Sequence, residues 1–236
     1  MVKIVANLIG RNESDKYLRP VLERVAKQVD LITFTDDCST DDTADIAASY
    51  GAKVFRMNEP TFSSNEGKLR QASWEHLERQ ITPGDEWYVL AIDCDEMLFQ
   101  TTHTLHDLAA TNSKVFNIIF FHMWNETQFR YDKAWRPHPS SRFFQYLPGG
   151  FFLDRALACG SEPTYVQQLI RQGYYMEDSG LLMKHLSYIK DEDKQAKYDR
   201  YAKIDGGAFH ANTHIESILD TNPSLADWNW FDEDQS

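Results

Sequence analysis

The run Trp87-Tyr88-Val89-Leu90-Ala91-Ile92 is apolar without interruption and is followed at once by Asp93-Cys94-Asp95-Glu96. A run this short suits one strand buried on both faces better than a helix. It delivers two carboxylates at its carboxyl end. In an extended chain residues i and i+2 point to the same side, so Asp93 and Asp95 are expected to face one way. Two such groups beside Glu96 repel unless a positive charge lies between them. A hard divalent cation, Mg2+ or Mn2+, suits that place because carboxylate oxygens are its preferred ligands.

The chain before this run alternates short apolar stretches with helical periodicity. Val2 to Ile9 is expected as a strand, with a turn at Gly10-Arg11-Asn12-Glu13-Ser14. Leu18, Val21, Leu22, Val25 and Val29 then recur at helical spacing. Pro20 falls in the early turns of that helix, where a missing N–H costs least. Leu31 to Thr35 is a second strand. The segment Asp36-Asp37-Cys38-Ser39-Thr40-Asp41 after it supplies capping residues for a helix reaching Tyr50, with Gly51 as the stop. Ala52 to Arg56 is a third strand, and a helix spans about Asn65 to Gln80 before Pro83-Gly84. Such alternation predicts parallel strands joined by right-handed crossovers. Ligands of open parallel sheets bind beyond the carboxyl ends of the strands. Arg11-Asn12, Asp36-Asp37 and Asp93-Asp95 all fall there, so they are expected to meet in one crevice.

Beyond Phe99 the pattern changes. Thr104 to Ala110 is expected as a short helix, Lys114 to Met123 and Arg142 to Tyr146 as strands, and Tyr165 to Gly173 and Asp191 to Lys203 as helices. The stretch from Trp124 to Cys159, rich in aromatics and arginine, suits either an acceptor-facing surface or ordinary aromatic packing. The acidic tail from Asp227 to Ser236 is expected to be loosely held, with Trp228, Trp230 and Phe231 available to dock it. The 236 residues are expected to form a single domain whose pattern changes near residue 100.

A net charge of −12 argues against general affinity for nucleic acid or anionic membrane. It leaves room for a small basic pocket. The cysteines Cys38, Cys94 and Cys159 show no metal-ligand spacing, which fits a reducing, cytoplasmic setting. The longest apolar run, Val115 to Trp124, is broken by Asn117 and His122 and is shorter than a membrane helix needs. The amino terminus has no signal-peptide architecture.

Four segments occur in order: Arg11-Asn12-Glu13, Asp-Asp-X-Ser-Thr-Asp-X-Thr at 36–43, Gly67-Lys68-Leu69-Arg70 and Asp93-Cys94-Asp95-Glu96. This ordered set resembles the family 2 glycosyltransferases. The resemblance implies a GT-A fold: a Rossmann-like α/β architecture with a mostly parallel central sheet flanked by helices and a carboxyl-terminal acceptor-side extension. It implies a nucleotide-diphosphate sugar as donor, with UDP the expected nucleotide. Donor contacts then fall to Ile9, Arg11, Asp37, Lys68 or Arg70, and Asp93. Asp37 corresponds to the base-binding Asp, and Lys68 or Arg70 to the cation near the diphosphate. Asp93 and Asp95 correspond to the Asp-X-Asp motif holding ribose and metal-bound diphosphate. Arg11 departs from an aromatic found in some relatives, although guanidinium also stacks. Met183-Lys184-His185-Leu186-Ser187-Tyr188, followed by Asp191 to Tyr201, resembles a His-X-X-Tyr segment before a Lys/Arg/Tyr helix in some relatives. This makes His185 a third metal ligand or, alternatively, a packed strand histidine. His210 and His214 could pair on one helix face.

Transfer leaves a nucleoside diphosphate, so the metal and a Lys or Arg must stabilise growing negative charge. Inversion, which the resemblance implies, also needs a carboxylate to take the acceptor hydroxyl's proton. Asp178 is the expected base, Glu177 its neighbour and Glu162 the reserve. The acceptor stays open among glycan, protein, lipid headgroup, small molecule and modified nucleobase. A nucleotidyltransferase would want a glycine-rich basic loop after the first strand. A phosphatase would carry its Asp-X-Asp there. A dehydrogenase would show Gly-X-Gly-X-X-Gly. The phosphatase and dehydrogenase patterns do not fit, and the loop after the first strand has one glycine. The alternatives are a non-catalytic sugar-nucleotide or glycan-binding module, or a nucleotidyltransferase with a related fold.

Overall fold

The computed structural model describes residues 2–155, 160–204 and 215–229. Cys159, His210, His214, Trp230 and Phe231 lie outside these residues. The first strands and helices fall close to where periodicity predicts them: β1 (Val2–Gly10), α1 (Leu18–Val25), β2 (Leu31–Asp36), α2 (Thr43–Ser49), β3 (Lys53–Arg56), α3 (Glu66–Gln80) and β4 (Glu86–Asp93). Then follow β5 (Glu96–Gln100), α4 (Leu105–Ala109), β6 (Val115–His122), β7 (Gln128–Arg130), β8 (His138–Gln145), α5 (Val166–Arg171), β9 (Tyr175–His185), α6 (Asp191–Ile204) and β10 (Leu225–Asp227).

Among the described residues, eight strands form one sheet in the order β3-β2-β1-β4-β8-β6-β9-β5. Strands β3, β2, β1 and β4 pair in parallel, as do β6 and β9. Antiparallel β8 joins the two parallel groups, and antiparallel β5 closes the far edge. The sheet therefore runs mostly in one direction, and the expected mixed α/β architecture is observed.

The strand pleat explains how both faces are covered. Tyr88, Leu90 and Ile92 enter a core shared with Leu18, Leu22, Ile46 and Leu105 of α1, α2 and α4. The alternate residues Trp87, Val89 and Ala91 enter a second core with Trp74 and Leu77 of α3 and Val166 and Leu169 of α5. A strand apolar on both faces is thus consumed by helices on both faces, as period-two geometry requires. Trp228 docks against Phe99 and Phe121 in a third cluster, and β10 pairs with β7, fastening this part of the carboxyl-terminal segment.

Two strands of the large sheet, β5 and β9, are not foreshadowed by the sequence pattern, and neither are the short β7 and β10. Strand β5 is short and edge-placed, and β9 carries charged residues among its apolar ones, so neither shows a clean alternation. Their pairing sets the site. Register places Gly10 beside Asp36, Ile9 beside Asp93, and His185 beside both His122 and Glu96. Strand ends from both halves therefore meet at one edge of the sheet.

Candidate active site

The turns after β1 and β2 are bound to each other. Asn12 adopts a left-handed backbone (φ 55°), a conformation Asn tolerates better than most residues. Its N–H donates to Ser39 Oγ at 2.9 Å, and its Oδ1 accepts from the Thr40 N–H at 2.8 Å. The Glu13 N–H donates to Thr43 Oγ1, and the Ser14 N–H to Asp41 Oδ2. Buried Asp36 accepts from the Ser39 N–H and pairs with Arg56 at 3.1 Å. Gly10 is required because a Cβ there would lie 2.5 Å from Cys94 Sγ and 2.9 Å from Phe34.

Asp37 is also buried, and both of its oxygens are engaged. Oδ1 accepts from the Thr61 N–H at 2.6 Å and Oδ2 from the Phe62 N–H at 3.0 Å. Burial pushes its pKa up while those two bonds oppose the rise. It fixes the loop between β3 and α3 along the cavity. Helix α3 is capped by the Asn65 side chain and packs so closely on the 153–155 segment that a Cβ on Gly67 would lie 2.0 Å from the Leu153 carbonyl oxygen.

These elements surround a cavity of about 710 Å3 lined by Ile9, Arg11, Asp37, Arg70, Asp93, Asp95 and His185 from the expected set. That volume is within the range of small-molecule sites. Glu162 also lines it. Lys68, Glu177 and Asp178 do not. Lys68 is exposed, because helical rotation turns it away from the face that carries Arg70 inward. Asp178 and Glu177 are exposed on the early part of β9, whereas His185 ends that strand. Strand β9 is irregular between Met176 and Leu181, so Asp178 lies about five strand positions, on the order of 15 Å, from the level of His122 and His185. The reserve carboxylate, Glu162, is the one brought in.

The acidic turn departs from a continuous extended strand. Residues 94 and 95 form a turn between β4 and β5, so the i, i+2 geometry does not hold across Asp93 and Asp95. Asp93 faces Arg70 at 3.6 Å and Arg142 at 3.9 Å. The residues that bring three ligand atoms within 4.8 Å of one another are Asp95, Glu96 and His185, without Asp93. Glu96 is buried and already held by Arg142, with contacts of 3.1 and 3.2 Å, and by the Asp93 N–H at 2.8 Å. Burial pushes its pKa up, and Arg142 counters part of that. Asp95 and His185 thus have the chemistry to hold a divalent cation, with a carboxylate oxygen and an imidazole nitrogen suited to Mn2+.

The sequence places Asp95 with His185, but it does not single out Lys197, Ser187 or His122 as partners of that ring. His185 Nε2 lies 3.4 Å from Asp95 Oδ2, 3.0 Å from Ser187 Oγ and 3.2 Å from Lys197 Nζ. Its Nδ1 lies 3.1 Å from His122 Nδ1. Burial and the neighbouring Lys197 lower the His185 pKa and keep the ring neutral. Lys197 Nζ is 3.7 Å from Asp95 Oδ2 and 4.4 Å above the Tyr188 ring. Burial disfavours its charge, but Tyr188 and Asp95 outweigh that and push its pKa up. Burial likewise pushes Asp95 up, and the positive charge beside it holds its carboxyl far below the usual range. The one sequence signal for this group was the pair of polar breaks, Asn117 and His122, in an otherwise apolar strand. The resemblance marks the helix from Asp191 as a Lys/Arg/Tyr helix, but it does not distinguish Lys197 from the other charges there.

Residues 10–148 match Glycosyl transferase family 2. No curated protein matches the chain at a significant level. Among solved structures, the mannosyltransferase PcManGT from Pyrobaculum calidifontis, in complex with GDP-Man and Mn2+, is similar with a TM-score of 0.54 and 12% identity, over 94% of this chain and 66% of that one. S. aureus TarS 1-349 in complex with UDP gives a TM-score of 0.49 and 19% identity, over 92% of this chain and 69% of that one. At these identities the likeness is one of fold, and that fold is GT-A.

Proposed function

The chain belongs to glycosyl transferase family 2 and is a glycosyltransferase, and from that premise we propose that it moves a sugar from a nucleotide-diphosphate sugar, UDP-linked by expectation, to an acceptor hydroxyl with inversion. The observation that carries this reading is the convergence of Asp37, Arg70, Asp93, Asp95 and His185 on one cavity from elements far apart in sequence. Asp37 and Arg11 lie where the resemblance puts the base. Arg70 and Arg142 flank Asp93 where charge must be balanced near a diphosphate. Asp95 and His185 would hold a divalent cation, which when bound supplies positive charge for the departing diphosphate.

Placement favours one carboxylate as the base. Asp178 is remote, so Glu162 takes the proton of the acceptor hydroxyl in this proposal, acting from the 160–162 segment at the cavity wall. Proton removal from the attacking oxygen and departure of the diphosphate on the opposite face together give inversion. Asp37 has both oxygens on loop amides, so its part in base recognition uses its remaining lone pairs or the loop it fixes.

Calorimetric titration of UDP and GDP, each with and without Mn2+, tests the donor site. Metal-dependent, base-selective binding that disappears in Asp95→Ala is the expected result. Absence of binding by either nucleotide under every metal condition overturns the reading in favour of a binding module with other ligands. Among the described residues no helix is long and apolar enough to cross a membrane, so the acceptor screen begins with water-soluble glycans, peptides and small molecules.

A further inference from the structure

We propose that Lys197 is a built-in rival of the divalent cation, its ammonium covering the Asp95–His185 ligand pair until a diphosphate draws it away. The inference rests on the metal reading of that pair given above. It starts from three contacts of one nitrogen. Lys197 Nζ lies 3.2 Å from His185 Nε2 and 3.7 Å from Asp95 Oδ2, and it donates to Ser187 Oγ.

Hydrogen-bond chemistry makes these contacts informative. An ammonium only donates, so His185 Nε2 is the acceptor and the ring proton is on Nδ1. His122 Nδ1, 3.1 Å away, then accepts that proton's hydrogen bond. Nε2 is left with a single lone pair, in the tautomer a metal would require. That lone pair, which Ser187 Oγ also faces at 3.0 Å, serves these two donors or a metal. The site is therefore set for ligation and capped by a cation of the protein's own.

The ammonium has somewhere to go. Asp193, Lys197 and Arg200 all line the cavity from one face of α6, at helical spacing. Arg200 Nε is buried and has no hydrogen-bond partner among the described residues, and its guanidinium lies 5.4 Å over Phe62. A diphosphate entering the cavity offers acceptors to both cations. Metal alone must displace Lys197 without compensation, whereas metal arriving with a nucleoside diphosphate exchanges one anionic partner of Lys197 for another. Metal and nucleotide should therefore favour each other's binding, and to the same degree in both directions.

The experiment measures Mn2+ binding by the full chain from the loss of the free-ion paramagnetic resonance signal, alone and with UDP. It compares wild type with Lys197→Met and with Lys194→Met, a control on the same helix whose ammonium pairs with Asp191. Lys197→Met is expected to bind Mn2+ alone about tenfold more tightly and UDP at saturating Mn2+ about tenfold more weakly, a typical coupling between sites. Lys194→Met should match wild type in both. Unchanged or weaker Mn2+ binding by folded Lys197→Met, with wild type binding Mn2+, overturns the rivalry alone. Failure of wild type and variant alike to bind Mn2+ overturns the metal reading and this proposal together. Should Lys197→Met not fold, Lys197→Gln takes its place, with the same expected and overturning results.

Discussion

The two walls of the cavity are built on different principles. The wall from β1 to β4 fixes its polar groups by turns that satisfy one another: Asn12 with Ser39 and Thr40, Glu13 with Thr43, Asp37 with the amides of Thr61 and Phe62. The opposite wall draws His122, Arg142, His185 and Lys197 from elements scattered over β6 to α6, and holds them by strand register and helix docking. On the first wall most polar groups have partners that need not change when a ligand arrives. On the second, Lys197 and Arg142 neutralise carboxylates that a ligand would also engage. Preorganised binding and displaceable charge are thus separated in space, as suits a site that must first capture an anion and then let it go.

Substitutions across this divide should differ in kind. The largest effect is expected from Asp95→Ala, which removes a metal-capable carboxylate. Metal-dependent UDP binding by calorimetry and sugar transfer should both fall below detection, and activity close to wild type would break the assignment. Next is Glu162→Gln, for which transfer should drop by about 10^2–10^4-fold, the usual contribution of a general base, with donor binding retained. Asp178→Asn, on the remote end of β9, should leave both unchanged, and the reverse pattern would return the base to Asp178.

Smaller effects concern stability. Arg142→Met leaves buried Glu96 without its bidentate partner, which should cost about 3 kcal/mol in denaturant unfolding. Glu96→Gln in that background should recover part of the loss, whereas a neutral Arg142→Met would show that the pair contributes nothing. The smallest effect concerns Glu13 on the preorganised wall. Burial raises its pKa from 4.5 to about 7, with Lys16 opposing. The folded chain thus holds this proton more tightly than the unfolded chain does, so the contribution is complete below pH 4.5 and is lost as pH rises towards 7. Glu13→Gln should flatten that part of the stability–pH curve by about 1–3 kcal/mol. An unaltered curve would show that Glu13 is well solvated when charged.

Much of the first wall could be read from the chain because its determinants are local. Apolar runs of strand length, helical spacing in Leu18 to Val25, the capping residues at 36–43 and the stop at Gly51 each act within a few residues. Parallel pairing then follows from the alternation itself, and with it the meeting of Arg11, Asp37 and Asp93 at one edge. The periodic signal failed at the turn of residues 94 and 95. A two-residue alternation holds only while the strand stays extended, and the chain folds back into β5 there.

What tertiary structure decided lies mostly beyond residue 100. Sequence put Asp178 first as the base, with Glu177 beside it and Glu162 in reserve, and only the direction and length of β9 set the first two far from the edge that His185 reaches. Sequence likewise supplied Lys197 as one charge among many on α6. Its meaning depends on which helical face meets the sheet and on the register that puts His185 between His122 and Glu96. Local propensity is written in neighbouring residues, but a contact across the fold depends on every register and crossover between its partners. For this protein the residue types of the site were legible in the chain, and their assignment to remote or adjacent positions was made by the packing of β8, β6, β9 and α6.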